Sequence, residues 1–280
     1  MFEKNELLNL KEKIEKMLYQ LDNHQQAKAP IMELESVISS LKDKNELKTK
    51  QEISSLLEGL MSAICDSSGL GRLNLMLKNA RIPPKYYDIF YSMLGFKARG
   101  GGGVPLCVDC GAHAGLISDI ILFCGGVSYL FEPNLHLNFF LEKKFANNPQ
   151  AKLYQKAVAA SNYKTKFKIF GGRMLSQGNR ICESAQESSD SYEVEVIDLC
   201  EFLEKELLSK NERIYFLKLD VEGVEFEIMQ KLIEKELYKK IDYIACETHE
   251  YMFDEGSKKL ENLKSQIKKH KIDNIFLDWV

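Results

Sequence analysis

The stretch Val108–Gly115, VDCGAHAG, decides how the chain is read. An apolar run, Pro105–Val108, leads into Asp109. Gly111 and Gly115 follow, and then an apolar, helix-like segment, Leu116–Cys124. That order predicts a strand, a tight turn and a helix start. Glycine lacks a Cβ, so Gly111 and Gly115 let the backbone pass close to a ligand. The first N–H groups of the following helix are unpaired and carry roughly half an elementary positive charge. A carboxylate or phosphate suits that spot.

Two cofactor classes use such a turn. The dinucleotide fingerprint G-x-G-x-x-G lacks its second glycine here, at Ala112–His113. What remains is Asp, one residue, Gly, three residues, Gly. This resembles the first motif of the Rossmann-like S-adenosylmethionine methyltransferases.

Further strands run outward from this turn. Val127–Phe131 reads as a second strand ending in Glu132–Pro133–Asn134. In open α/β sheets ligands sit outside the carboxyl ends of the strands. An acidic residue there accepts hydrogen bonds from both hydroxyls of a ribose, which makes Glu132 a cofactor candidate. The competing reading places it in a helix N-cap region ahead of Leu135–Ala146. His136 falls on that helix and is expected at the surface. Lys152–Val158 is expected as a third strand, with Ala157–Val158 beside an adenine ring. Lys166–Phe170 and Tyr192–Val196 alternate as strands, and Asp198–Leu208 reads as a helix. The polar stretch Gly171–Ser191 reads as a long loop, a length that marks lids and substrate loops as well as disorder.

Ile214–Asp220, IYFLKLD, is nearly continuous in apolar residues, as a central parallel strand is. It ends in Asp220-Val221-Glu222-Gly223 before a helix, Val224–Leu237. Ile241–Glu247 repeats the pattern and ends in Thr248–His249. A helix over 257–269 sets Leu260, Leu263 and Ile267 on one face, and Ile272–Val280 closes the chain as a last strand. Strand and helix alternate throughout. The fold class is therefore α/β: a mostly parallel Rossmann-like sheet with helices on both faces.

Before this core, residues 5–21, 31–41 and 46–65 carry apolar residues at helical spacing. Ser67–Gly71 reads as a loop and Leu73–Leu77 as a short apolar turn. The organisation expected is a helical N-terminal extension, 1–98, and a catalytic domain, 99–280, joined near Arg99–Gly103 (RGGGG). The extension either packs on the catalytic domain or forms a homodimer or partner contact. Tyr86, Tyr87, Phe90 and Tyr91 form an aromatic group that either packs in the core or caps the site.

Composition narrows the function classes. The net charge of −3, with 45% apolar and 28% charged residues, is that of an ordinary globular protein with no general affinity for polyanions. Acidic and basic residues balance over 1–95, which argues against a nucleic-acid arm. No apolar run approaches the roughly 18 residues of a membrane span. The charged first residues lack a secretory apolar region, so a cytoplasmic protein is expected. The seven cysteines include one C-x-x-C pair, Cys107 and Cys110, with no second pair for zinc, and buried free thiols are expected.

VDCGAHAG, then YLFEPN, KAVAASN, FLKLDVEGVEFEIM and IACETHE, in that order, resemble the FkbM family of methyltransferases over about residues 104–250. The LDVEG segment is the most specific part. The resemblance implies the methyltransferase sheet, S-adenosylmethionine as cofactor, and a small-molecule hydroxyl acceptor, often a sugar or polyketide in surface-glycan pathways. It implies that Asp109, Gly111, Ala112, His113, Gly115, Glu132, Pro133, Ala157 and Asp220 surround the cofactor. Asp220 and Glu222 then face the acceptor, with Glu247 and His249 beside them. Two features depart from the family. His113 stands where a small amide side chain is usual, and no segment remains for an antiparallel seventh strand.

A hydroxyl is a weak nucleophile, and a base beside it helps by about 10²–10⁴. The candidate catalytic residues are Asp220, His249 and Glu222. Imidazole titrates near neutral pH, and Asp220 can take the proton or orient the hydroxyl. Glu222 alternatively serves the helix N-terminus. Asp220, Glu247 and His249 also form a candidate open site for a divalent metal. The rival functions are a nicotinamide enzyme, a non-catalytic partner-binding protein with a methyltransferase-like core, and a methyltransferase acting on RNA or protein.

Overall fold

The structure is a computed structural model that describes residues 69–99, 103–169, 174–176, 179–182 and 191–279. The chain divides into two compact units, Met1–Asn79 and Ala80–Val280. In the first unit, helix α1, Leu70–Asn79, buries Leu73 and Leu77. The apolar turn expected at Leu73–Leu77 is part of this helix. Its two leucines are four residues apart, which is the spacing of one helical face. The segments 5–21, 31–41 and 46–65, and with them any homodimer contact, lie outside the described residues.

The second unit begins with a 3₁₀ turn, Pro84–Tyr86, and helix α2, Tyr87–Arg99. A parallel six-stranded sheet then forms from β1 (Leu106–Cys110), β2 (Val127–Phe131), β3 (Ala151–Tyr154), β8 (Ile214–Leu219), β9 (Ile241–Cys246) and β10 (Ile275–Phe276). Its order is β10-β9-β8-β1-β2-β3, and every pairing is parallel. The connecting helices are α3 (Leu116–Phe123), α4 (Leu135–Phe145), α5 (Leu199–Phe202) with a π turn (Leu203–Leu208), α6 (Glu225–Glu234) and α7 (Gly256–Lys269).

Both faces of the sheet are covered, and the period of two in the central strands shows how. Val108, Cys110, Leu217 and Leu219 join Leu199, Leu203, Met229 and Leu263 in one core. Phe216, one residue out of phase, meets Phe90 of α2 edge-on at 5.6 Å. Lys218 shares that second face. Both central strands are therefore buried along their whole length. The five cysteines whose surroundings are described, Cys107, Cys110, Cys124, Cys200 and Cys246, are free and buried.

The third strand expected over Lys152–Val158 is two strands. Ala151–Tyr154 pairs with β2, and after Gln155–Lys156 the chain starts β4, Ala157–Ala159, which pairs with the strand Ser191–Asp198. β4, β5 (Tyr163–Lys168), β6 (Arg180–Cys182) and β7 (Ser191–Asp198) make a second sheet in the order β4-β7-β5-β6. Alternation in sequence reports which face is buried. It does not report which neighbour a strand has, so the change of partner left no trace in the pattern. Most of the loop expected at Gly171–Ser191 lies outside the described residues.

The last strand is also shorter than Ile272–Val280. Only Ile275 and Phe276 pair with β9. Beyond them the Trp279 N–H donates to the Cys246 carbonyl of β9 (3.3 Å), while Tyr86 donates from its hydroxyl to Asp278 (2.8 Å) and its ring meets Trp279 at 4.9 Å. Tyr86 and Phe90 are thus core residues, not a cap over the site. A two-residue strand ends the sheet, and no antiparallel seventh strand occurs among the described residues. Short edge strands offer little template for pairing with another chain.

Candidate active site

The carboxyl ends of β1, β2, β8 and β9 open into one cavity of about 670 Å³, walled on another side by Ala157, Val158, Phe167 and Ile181 of the second sheet. At the β1 end, Gly111 has φ +78°, and a Cβ there would lie 1.7 Å from the carbonyl oxygen of Asp220. Only glycine lets the two strand ends approach so closely. Gly111 and Ala112 both donate their N–H groups to the Phe131 carbonyl at 3.0 Å, which ties the turn to β2. Gly115, at φ +75°, starts α3 where a Cβ would meet Leu141 at 2.9 Å.

This turn aims the backbone at Glu132. The N–H of His113 donates to Glu132 Oε2 (2.7 Å) and that of Asn134 to Oε1 (2.9 Å). Burial raises the Glu132 pKa, and those two backbone bonds pull against the rise. Glu132 is thus a buried carboxylate held in one orientation, with further lone pairs on both oxygens. The helix N-cap nearby is Asn134, whose Oδ1 accepts from the N–H groups of His136 and Leu137. Asn134 also donates to the Met174 carbonyl (2.7 Å), and His113 Nε2 lies 3.0 Å from the Leu175 carbonyl. Together these contacts hold residues 174–176 at the β2 end. His136 is exposed.

Not every residue of the first motif reaches the cavity. Gly111, His113, Glu132, Pro133 and Ala157 line it. Asp109, Ala112 and Gly115 do not. Ala112 packs with Leu130, Leu141 and Phe145. Asp109 is fully buried beneath the turn, where Ser118 donates to its Oδ2 (2.7 Å) and Lys218 Nζ stands 3.5 Å from Oδ1.

Lys218 links the two strand ends. Its ammonium donates to the Gly111 carbonyl (2.6 Å) and pairs with Asp220 Oδ2 (3.1 Å) as well as with Asp109. Burial acts to lower its pKa, but Asp220 and Asp109 outweigh burial and raise it, so the lysine stays charged. Sequence reasoning did not single it out. The signal was there: a lone lysine inside an apolar run predicted to be buried on both faces.

At the β8–β9 end Asp220, Glu222, Glu247 and His249 all line the cavity. The segment after β8 folds around Glu225, in the first turn of α6. That fully buried carboxylate accepts from the N–H groups of Val221 (3.1 Å) and Gly223 (2.9 Å). It also holds His249 Nδ1 at 2.8 Å. His249 is 2% exposed and sits at φ +43°. With Nδ1 fixed, its Nε2 turns toward Glu247 (3.5 Å), Glu222 (3.6 Å) and Asp220 (3.9 Å). Burial acts to lower the His249 pKa, but the carboxylates of Glu222 and Glu225 overcome it and push it up to about 10. Those carboxylates favour the protonated ring, which donates from both nitrogens. Glu225 had no distinguishing mark in the sequence. It is one of several acids in VEGVEFEIM, and only the fold shows which of them turns inward.

A parallel sheet in this order, with a glycine turn, a buried acid after the second strand and acid-tipped fourth and fifth parallel strands around one cavity, is a Rossmann-like arrangement consistent with a methyltransferase fold. The profile described as "Methyltransferase FkbM domain" matches residues 109–275, more than half of the chain, and the chain belongs to that family. Comparison with curated proteins and with solved structures gave no match. No helix among the described residues is long and apolar enough to cross a membrane.

Proposed function

We propose that this methyltransferase uses S-adenosylmethionine to methylate a hydroxyl of a small molecule, most simply a sugar or sugar nucleotide of a surface-glycan pathway. The observation that carries this reading is the meeting, in one cavity, of the oriented Glu132 carboxylate with the acid-and-histidine end formed by Asp220, Glu222, Glu247 and His249. The residues present fit the cofactor. Glu132 has lone pairs left for two ribose hydroxyls, Ala157 and Val158 offer an apolar wall for a base, and the acidic end suits a positively charged sulfur. The volume falls within the roughly 300–1,000 Å³ of small-molecule sites. The carbohydrate class rests on the resemblance of the motifs.

When bound, the cofactor supplies a methyl group on a sulfonium that is already a good leaving group. The work left to the chain is to hold an acceptor oxygen in line, worth about 7–11 kcal/mol, and to receive a proton. Lys218 fixes Asp220 Oδ2 and leaves Oδ1 toward His249 and the cavity. Asp220 would accept the proton that the acceptor hydroxyl gives up. His249, protonated, donates to the acceptor or orients the carboxylates around it, and Glu222 holds His249. Gly111, His113, Pro133 and Ala157 shape the cofactor side. Asp109, Ala112 and Gly115 act through the turn that they build.

Calorimetry with S-adenosylmethionine and its demethylated product, followed by methyl transfer to a panel of sugar nucleotides, tests the reading. Binding of both ligands and labelled product from one acceptor are expected. Absence of heat with either ligand overturns it.

A further inference from the structure

Among the described residues, two arginines and one lysine line the cavity: Arg81, Arg180 and Lys156. Lys156 is answered by Glu195 (2.9 Å). Arg81 is exposed and forms no ion pair with a described residue. It has φ +57°, a left-handed backbone that arginine seldom adopts. Six non-glycine residues among those described have positive φ, and four of them, Arg81, His113, Glu222 and His249, line this one cavity. Strained backbone persists only where the surrounding structure holds it, and it gathers at functional sites. Five residues after Arg81, Tyr86 meets Trp279, whose N–H bonds the Cys246 carbonyl where β9 ends. Arg180 opens β6 in the wall formed by the second sheet. Its charge is felt at Tyr251: burial, Glu222 and Glu247 raise that phenol's pKa, and the guanidinium acts against them. The Tyr251 ring lies 5.8 Å from that of His249. Both arginines therefore flank the β8–β9 end. The acids there do not use up Arg81, because Glu222 and Glu247 pair with His249.

We propose that Arg81 and Arg180 bind a phosphoryl group of the acceptor, so that the molecule methylated is a sugar phosphate or a sugar nucleotide rather than a free sugar. A guanidinium presents a rigid fork of N–H donors that matches an oxyanion. One fork fills the two oxygens of a carboxylate. A phosphoryl group brings three oxygens and up to about two charges, enough for two arginines from separate segments. The acids beside them make the choice of group at each point sharper. An anion is repelled from Asp220, Glu222 and Glu247, whereas a neutral hydroxyl is not. The acceptor is held in one direction, its phosphoryl group on the arginines and its hydroxyl toward Asp220. Such fixed orientation is what in-line transfer requires. This inference rests on the methyltransferase reading for the fate of the hydroxyl, but not for the binding of the anion.

The full-length chain, at fixed ionic strength, is titrated calorimetrically with inorganic pyrophosphate, with and without the demethylated product of S-adenosylmethionine. Saturable binding is expected in both states. Arg81→Gln and Arg180→Gln should each raise the Kd by about fivefold, and the double variant should raise it further. Arg81→Lys, which keeps the charge and loses the fork, should recover part of the loss. Lys164→Gln, at an exposed lysine of the second sheet, should leave the Kd unchanged. Circular dichroism reports that each variant is folded. No saturable binding, or an equal Kd in the folded double variant, overturns the proposal. So does arginine-dependent binding of glucuronate where pyrophosphate does not bind, which gives the site to a carboxylate. Glucose 1-phosphate and UDP-glucose, titrated in the same way, separate the two sources of the phosphoryl group. The tighter, arginine-dependent ligand names the class, and no dependence on the arginines for either overturns it. The two readings fail separately. Pyrophosphate bound through the arginines of a chain that binds no S-adenosylmethionine sinks the methyl-transfer reading and leaves the anion site. S-adenosylmethionine bound by a chain that does not bind pyrophosphate does the reverse.

Discussion

At the β1–β2 end of the cleft, the chain answers its own charge. Glu132 receives two backbone N–H groups, and Asp109 accepts from Ser118 and has the Lys218 ammonium 3.5 Å away. At the β8–β9 end, Glu222 and Glu247 share one imidazole nitrogen, at 3.6 and 3.5 Å. The first end is a preformed cradle whose carboxylate is held still by backbone N–H groups. The second is left short of positive charge, with one imidazole nitrogen between two carboxylates. Lys218 stands between them and belongs to each. The comparison teaches that the two ends differ in how their charge is answered, and that one buried lysine touches both.

The sharpest break is Asp220→Ala. Methyl transfer should fall by about 10²–10⁴ with loss of the proton acceptor, while S-adenosylmethionine affinity stays within a few fold. Turnover of a labelled methyl group, with calorimetry alongside, checks both halves. Unchanged turnover removes Asp220 from the chemistry. A large loss of cofactor affinity says that the two ends are not separable.

Next in size is Lys218→Met. It leaves the fully buried Asp109 and the partly exposed Asp220 without their ammonium, a loss on the order of 3–5 kcal/mol of stability. Urea unfolding measures it. A cost below about 1 kcal/mol would show that the lysine is not the link between the two ends.

How much of this was legible before the fold was known differs along the same line. Glu132 was readable because a glycine turn and an acid one crossover later are local signals. Asp220 and His249 were readable because strand ends are where parallel sheets present ligands. Lys218 was printed in the apolar run, but its meaning depends on Asp109 being opposite, and that pairing is a property of the sheet. Glu225 was hidden among equivalent acids. β4 was hidden because Ala157–Ala159 looks like the continuation of β3 until its partner, β7, is known. The parallel sheet and its covering helices followed from alternation; the second sheet depended on which strands become neighbours.

Glu132→Gln should weaken S-adenosylmethionine binding by roughly 10–100-fold, the equivalent of the 1.5–3 kcal/mol of hydrogen bonds to a charged group. It keeps the shape of the side chain, so turnover at saturating cofactor should change far less than Kd. Equal Kd values for the two chains in calorimetry remove Glu132 from the cofactor site.

The smallest effect is a dependence on pH. The Glu132 pKa in the free folded chain is raised, chiefly by burial. Ribose hydroxyls would donate to the ionised carboxylate and favour it, pulling that pKa down on binding. A ligand that prefers the ionised form loses affinity as pH falls through the free-state pKa. The loss therefore begins above the usual glutamate value of about 4.3. Stability of the free chain runs the other way. A carboxyl whose folded pKa is raised binds its proton more tightly when folded, so its contribution falls as pH rises from the unfolded value through the folded one. Calorimetry of wild type and Glu132→Gln across the weakly acidic range separates this group from the acids at the far end. A few-fold loss should appear in wild type and be absent from the variant. Parallel slopes in the two chains would move the titrating group to the β8–β9 end and leave Glu132 outside the binding equilibrium.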